Sequence, residues 1–229
     1  MNSISSYKMP SAVLWDWNGT LLDDIDISLE AVNLLLSEYN MNGIDKEQYY
    51  SYIDTPIIKF YSHLFDLDKI PFSHIGGIFH RNYKRLLHKS GLMDGALEAI
   101  VNLHRMGVRQ YIVSASHKDG IVKGAKDLGI FDYMTDIIAA DDYTASSKVE
   151  RTADYFKRLG IDTSNCLVIG DTLHDYSMAM ELGSVCVLTA LGHEGRKKLS
   201  ATHSLLIDEI DLEKIIRYFR SERKDVCQS

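Results

Sequence analysis

The groups best placed to do chemistry are carboxylates at or just beyond the ends of short apolar runs. Asp16 stands in AVLWDW (12–17), Asp171 ends CLVIGD (166–171), and Asp141 with Asp142 follows DIIAA (136–140). Ser114 lies near the end of RQYIVSA (109–115), and the residues from Thr189 to His193 close VCVLTA (185–190). Several carboxylates at one edge of a sheet repel one another unless a cation is shared. Oxygen ligands of this type suit a hard divalent ion, Mg²⁺ first among them.

Asp16 is followed by Asn18-Gly19. Between apolar runs this dipeptide is a strong hairpin signal, because both residues tolerate positive φ. No second alternating strand follows Leu22, so a tight loop at a strand end is expected instead.

These groups converge only if the five runs lie side by side. Short β-branched runs separated by helical stretches predict an α/β fold, a three-layer Rossmann-like parallel sheet covered on both faces. Ligands of such sheets sit beyond the carboxyl ends of the strands. Asp94 is expected to cap a helix over ALEAIVNLHRM up to Gly107. Ser147 with Glu150, and Thr172 with Asp175, have capping-box spacing before helices that end at Gly160 and Gly183. Residues 25–90 contain no strand-like run but three helical patterns. The first carries Ile25, Leu29, Val32 and Leu36 and stops at Asn42-Gly43; the second starts at Thr55-Pro56; the third runs from Ser73 through Ile75, Phe79, Tyr83 and Leu86. An all-helical insertion over 22–91 is therefore expected within a core made of 1–21 and 92–229, with DLEKIIRYFRSER as a final surface helix.

Composition narrows the function. With 25 Lys and Arg against 32 Asp and Glu, the net charge of −7 argues against a nucleic-acid surface and an anionic membrane. Cys166, Cys186 and Cys227 are scattered, which suggests neither a disulfide framework nor a zinc site. The opening MNSISSYKMP has no apolar core of signal-peptide length, and no run reaches the roughly 18 residues of a membrane span, so a cytoplasmic protein is expected. Oligomeric state is left open.

Taken in chain order, four motifs resemble the haloacid dehalogenase (HAD) superfamily of phosphatases: Asp16-Trp17-Asn18-Gly19-Thr20, Ser114 in YIVSAS, Lys148 in SSKVE, and Gly170-Asp171-Thr172-Leu173-His174-Asp175. The helical insertion resembles the cap of the phosphoglycolate phosphatase-like group. The resemblance implies a phosphatase acting on a small phosphorylated metabolite through an aspartyl-phosphate on Asp16. It implies Mg²⁺ held by Asp16, the backbone carbonyl of Asn18, Asp171 and Asp175. It places Asn18, Gly19, Thr20, Ser114, Ala115 and Lys148 around the phosphate. A lysine at a helix N-terminus opposes the helix dipole, which favours a functional role for Lys148.

One position departs from the family. Where its phosphatases carry a second aspartate, this chain has Asn18, and an amide cannot exchange a proton at neutral pH. Losing general acid–base help costs about 10²–10⁴ in rate, so slow hydrolysis of alkyl phosphates and faster hydrolysis of acyl or aryl phosphates is expected. His117 and His174 are alternative proton sources, more simply read as solvated loop residues. Asp23 and Asp24 are expected to cap the first helix, and Tyr49, Tyr50, Tyr52, Phe60 and Tyr61 to pack the insertion. Two other functions fit the same motifs: a phosphate-binding protein of little or no activity, and a haloacid- or phosphonate-type hydrolase. The phosphonate reading would need an insertion lysine such as Lys59 or Lys84.

Overall fold

The computed structural model describes residues 9–140 and 148–224. Among them, six strands form one parallel sheet: β1 (Ala12–Trp15), β4 (Arg109–His117), β5 (Asp136–Ala140), β6 (Cys166–Gly170), β7 (Val185–Thr189) and β8 (Leu205–Ile207). Their order across the sheet is β5-β4-β1-β6-β7-β8. The first strand is thus central, and the chain moves outward through β4 and β5 before crossing to β6. Ligands of open parallel sheets bind where the strand order reverses, here beyond the carboxyl ends of β1, β4 and β6.

Both faces are covered, as continuous apolar strands require. Val13 and Trp15 point into one cluster with Ile112, Ile169 and Phe219, while Ala12 and Leu14 point into the other with Tyr111, Phe156 and Val168. Strand residues alternate faces, so Asp16 inherits the side of Ala12 and Leu14. That is the side of α7 (Lys148–Leu159) and α8 (Leu173–Glu181), the helices that carry Lys148 and Asp175. The opposite face packs α5 (Ala96–Arg105), α6 (Lys118–Asp127) and α10 (Leu212–Lys224). A short α9 (Arg196–Leu199) precedes β8.

Between β1 and β4 lie α1 (Ile25–Glu38), α2 (Lys46–Tyr52), α3 (Ile58–Ser62) and α4 (Phe72–Leu86). They bury an apolar cluster of their own, including Val32, Leu35, Leu36, Phe60, Tyr61 and Ile75. A two-stranded antiparallel ribbon, β2 (Leu22–Asp23) with β3 (Gly91–Leu92), pairs the two chain crossings at its base.

The differences from the sequence reading are local. Helix α5 begins after Gly95 at φ 81° with no side-chain cap, so Asp94 is not its N-cap. Helix α1 stops at Tyr39, before the left-handed Asn40, rather than at Asn42-Gly43. Ile57, not Thr55, precedes α3, and Ser73 lies inside α4, whose N-cap is Pro71. Helix α2, with a full Asp45/Gln48 capping box, makes four helices where three are legible. Strand β8 and the β2–β3 ribbon were not expected. Helix α10 buries Ile215 and Phe219 completely, so it is a packed element of the sheet's cover. Thr172 and Asp175 do form the expected capping box. Asp141, Asp142 and Ser147 lie outside the described residues.

Candidate active site

The capping box explains how the end of β6 is organised. Asp175 Oδ2 accepts from Thr172 Oγ1 at 2.6 Å and from Thr172 N at 3.1 Å, which leaves Oδ1 pointing to Lys148 Nζ at 2.6 Å. The same ammonium donates to Asp16 Oδ1. Lys148, Asp171 and Asp175 are buried, at 5 %, 0 % and 1 % exposure, so these charges face one another with little water between them. Asp171 takes Thr20 Oγ1 at 3.2 Å on one oxygen and the backbone N–H of His193 at 2.6 Å on the other.

Burial pushes the carboxyl of Asp16 up to about 6, with Lys148 pulling the other way. Burial raises Asp171 well above the usual carboxylate range, helped by Asp16 and Asp175. For Asp175, burial is outweighed by the Lys148 ammonium, which holds it below its ordinary value. The Lys148 ammonium thus pairs with Asp16 and Asp175, while among the described residues Asp171 meets only a hydroxyl and a backbone N–H. An oxygen from each of Asp16, Asp171 and Asp175 lies within 4.8 Å of the others. An all-oxygen donor set with surplus negative charge fits a hard divalent cation.

Beyond Asp16 the loop turns tightly. Gly19 has φ +71°, and its N–H is held by Leu22 O at 3.0 Å and Asp24 Oδ1 at 2.8 Å. The N–H groups of Thr20, Leu21 and Leu22 all turn back to Trp17 O. The backbone donors of residues 19–22 are thus engaged within the loop, and Thr20 acts on Asp171 through its side chain. Ser114 lies two residues beyond Ile112, the partner of Trp15, at the same edge of the sheet. Its hydroxyl accepts from Ser116 N at 3.1 Å, and Ala115 beside it is exposed.

Asn18 and Asp24 are placed differently from the sequence reading. Asp24 precedes α1 but makes no side-chain cap; its carboxylate turns inward, 1 % exposed. There it accepts from Asn18 Nδ2 (2.8 Å), Tyr83 OH (2.6 Å) and Gly19 N (2.8 Å), with His193 Nε2 at 3.2 Å. Burial alone would lower the pKa of His193, but its hydrogen bond and charge pairing with Asp24 hold it up at about 9. His117 instead accepts from Asp119 N as the N-cap of α6, and His174 occupies the first turn of α8. The histidine at this junction is His193, in the segment from Thr189 to His193 that closes β7. Tyr49 from α2, read as a packing residue, reaches His193 Nδ1 at 3.0 Å.

The chain matches the sequence pattern of the haloacid dehalogenase-like hydrolases over residues 13–189. It belongs to that family. It is 23 % identical over 197 residues to the pyrophosphatase PpaX of Bacillus velezensis, covering 85 % of this chain and 89 % of that protein. It is 24 % identical over 224 residues to a phosphoglycolate phosphatase of Pseudomonas savastanoi pv. phaseolicola, covering 91 % and 79 %. In three dimensions it resembles a HAD-like family hydrolase from Streptococcus pneumoniae, with a TM-score of 0.77 at 20 % identity over 91 % of this chain and 97 % of the other. Among the described residues, no helix is long and apolar enough to cross a membrane.

Two glycines let this HAD-type site close around Asp171. A Cβ on Gly192 would stand 2.2 Å from Asp171 Oδ2, and one on Gly19 would stand 2.3 Å from the same atom. Gly192→Ala is expected to displace the carboxylate, at an overpacking cost of about 1–3 kcal/mol. Thermal unfolding should show a lower Tm; an unchanged Tm would show that the site accommodates the added methyl group.

Proposed function

We propose that this chain is a Mg²⁺-dependent phosphatase of small phosphorylated metabolites, working through an aspartyl-phosphate on Asp16. The observation that carries the reading is the meeting of Asp16 with Lys148, Asp175 and Asp171 at the ends of β1 and β6. Asp16, Asp171 and the carbonyl of Asn18 would hold the ion, with Asp175 beside them fixing Lys148. When bound, the ion offsets the negative charge of the phosphoryl group.

An Asp16 oxygen attacks phosphorus while the bond from phosphorus to the leaving-group oxygen breaks. Lys148 moves its charge from Asp16 toward the phosphoryl oxygens, where the Ser114 hydroxyl adds a donor. Water then cleaves the new bond between Asp16 and phosphorus, releasing phosphate and restoring the carboxylate. Residues 22–91 act as a cap over the site, with Tyr49 and Tyr83 on its inner face, and exclude bulk water during attack. The relatives described as a pyrophosphatase and a phosphoglycolate phosphatase support a small phosphorylated substrate.

Asn18 offers no exchangeable proton to a leaving alkoxide. Acetyl phosphate and p-nitrophenyl phosphate, whose leaving groups depart as stable anions, should therefore be cleaved faster than glycerol phosphate or phosphoglycolate. The expected margin in kcat/KM is about 10²-fold or more. Phosphate release measured across these four compounds, with and without Mg²⁺, tests the proposal. Equal rates would remove the argument from Asn18. Binding of phosphate without turnover of any compound would favour the phosphate-binding alternative. For a phosphonate-type hydrolase the candidate lysines are poorly placed, since Lys59 is exposed and paired with Asp54, and Lys84 is exposed on α4.

A further inference from the structure

The junction between the strand-end loop and the helical insertion is built around one carboxylate. Asp24 Oδ1 accepts from Gly19 N and faces His193 Nε2, while Oδ2 accepts from Asn18 Nδ2 and Tyr83 OH. Asn18 Nδ2 also donates to Tyr83 OH at 3.0 Å, and Asn18 Oδ1 accepts from Ser116 Oγ at 2.9 Å. Every polar atom of the Asn18 side chain is thereby used within this cluster. Through Tyr83 on α4, and through His193 to Tyr49 on α2, the same cluster reaches two helices of the insertion.

We propose that Asn18 and Asp24 form a matched pair, in which residue 18 must be an amide because Asp24 supplies the single carboxylate this junction holds. The pair acts as a positioning device, tying the loop that carries Asp16 to the insertion. It deepens the phosphatase reading and rests on it for its kinetic consequence.

Donor and acceptor counting gives the consequence. Asn18→Asp restores the residue usual in the family, but it sets a second carboxylate 2.8 Å from Asp24 Oδ2, with the Tyr83 hydroxyl as the donor they share. Two buried carboxylates at that distance cannot both ionise comfortably. Asp24→Asn brings two amide donors face to face, or leaves one of its former donors unmatched. The exchange N18D/D24N reverses the polarity and satisfies the set again. Asp at 18 accepts from the new amide, from Tyr83 OH and from Ser116 Oγ, while the amide oxygen at 24 accepts from Gly19 N and His193 Nε2.

The test is a double-mutant cycle over N18D, D24N and N18D/D24N, read by thermal unfolding and by kcat/KM for p-nitrophenyl phosphate with Mg²⁺. Each single variant should lower both quantities, kcat/KM by about tenfold or more, the loss typical when buried polar groups are left unmatched. The exchange should regain at least about tenfold over either single variant, together with most of the lost Tm. An Asn18→Asp variant as active as wild type or more so, or an exchange no more stable than the single variants, overturns the proposal. Tyr83→Phe keeps the ring stacked on Phe79 at 5.8 Å and provides a variant expected to fold. It should lower kcat about tenfold, with a loss of Tm no larger than that of D24N because the Asp24 carboxylate keeps its other donors, and an unchanged kcat refutes the positioning role. Should the wild type hydrolyse none of the phosphates, the phosphatase reading fails while the unfolding cycle still decides the pairing.

Discussion

Asp16→Asn should lower phosphate release by at least about 10³-fold, the scale on which loss of a nucleophile acts. The substitution is nearly isosteric and leaves Lys148 its second partner, Asp175, so the fold should persist. An amide oxygen is too weak a nucleophile to displace a leaving group from phosphorus, and no other described carboxylate can take over. Asp175 has both oxygens committed, to Lys148 on one side and to Thr172 on the other. Asp171 is held by Thr20 and by the backbone of His193. Steady-state kinetics with saturating Mg²⁺, and a thermal scan to confirm folding, check the prediction. Residual turnover within tenfold of wild type would mean that Asp16 does not attack.

Asp171→Asn is expected to separate stability from activity. The carboxylate is fully buried and its pKa is raised by that burial, so ionising it costs the fold free energy that the unfolded chain does not bear. A carboxyl whose pKa is higher in the folded than in the unfolded chain destabilises the fold increasingly from its unfolded pKa upward, and in full above its folded pKa. The destabilisation fades as the pH falls through it. An asparagine can keep the geometry, with Oδ1 accepting from His193 N and Nδ2 donating to Thr20 Oγ1. In EDTA the variant should therefore melt above wild type, whereas with Mg²⁺ the gap should narrow or invert, because only wild type gains strongly from binding the ion. Activity should fall by about 10²-fold or more with the loss of this charge from the cation's ligands. A variant that melts below wild type in EDTA, or one that keeps full Mg²⁺-dependent activity, would contradict this account.

The convergence of Asp16, Lys148, Asp171 and Asp175 was legible because each lies at an element end and the topology of a parallel sheet brings strand ends together. The Thr172/Asp175 pair was legible because a capping box has a fixed spacing. What escaped depends on contacts between distant segments. Asp24 reads as a helix cap from its position, yet the amide of Asn18 and the N–H of Gly19 draw its carboxylate into the interior. His193 carries no local signal beyond following the last long apolar run, and its role as neighbour of Asp24 and Tyr49 exists only in the folded chain. Strand β8 has three residues, too few to show a period, and α2 is a polar KEQYYSY segment with one buried side chain, Tyr49. The starts of α3, α4 and α5 moved because Thr55, Ser73 and Asp94 are good caps by type, while local turns set the boundaries.

The most direct test is chemical trapping of the enzyme during turnover. Protein mixed with acetyl phosphate and Mg²⁺, quenched in acid and reduced with borohydride, should yield one reduced peptide, modified at residue 16, and none when Asp16→Asn is treated in the same way. Sustained phosphate release with an unmodified Asp16, or with the label on another residue, would contradict the account.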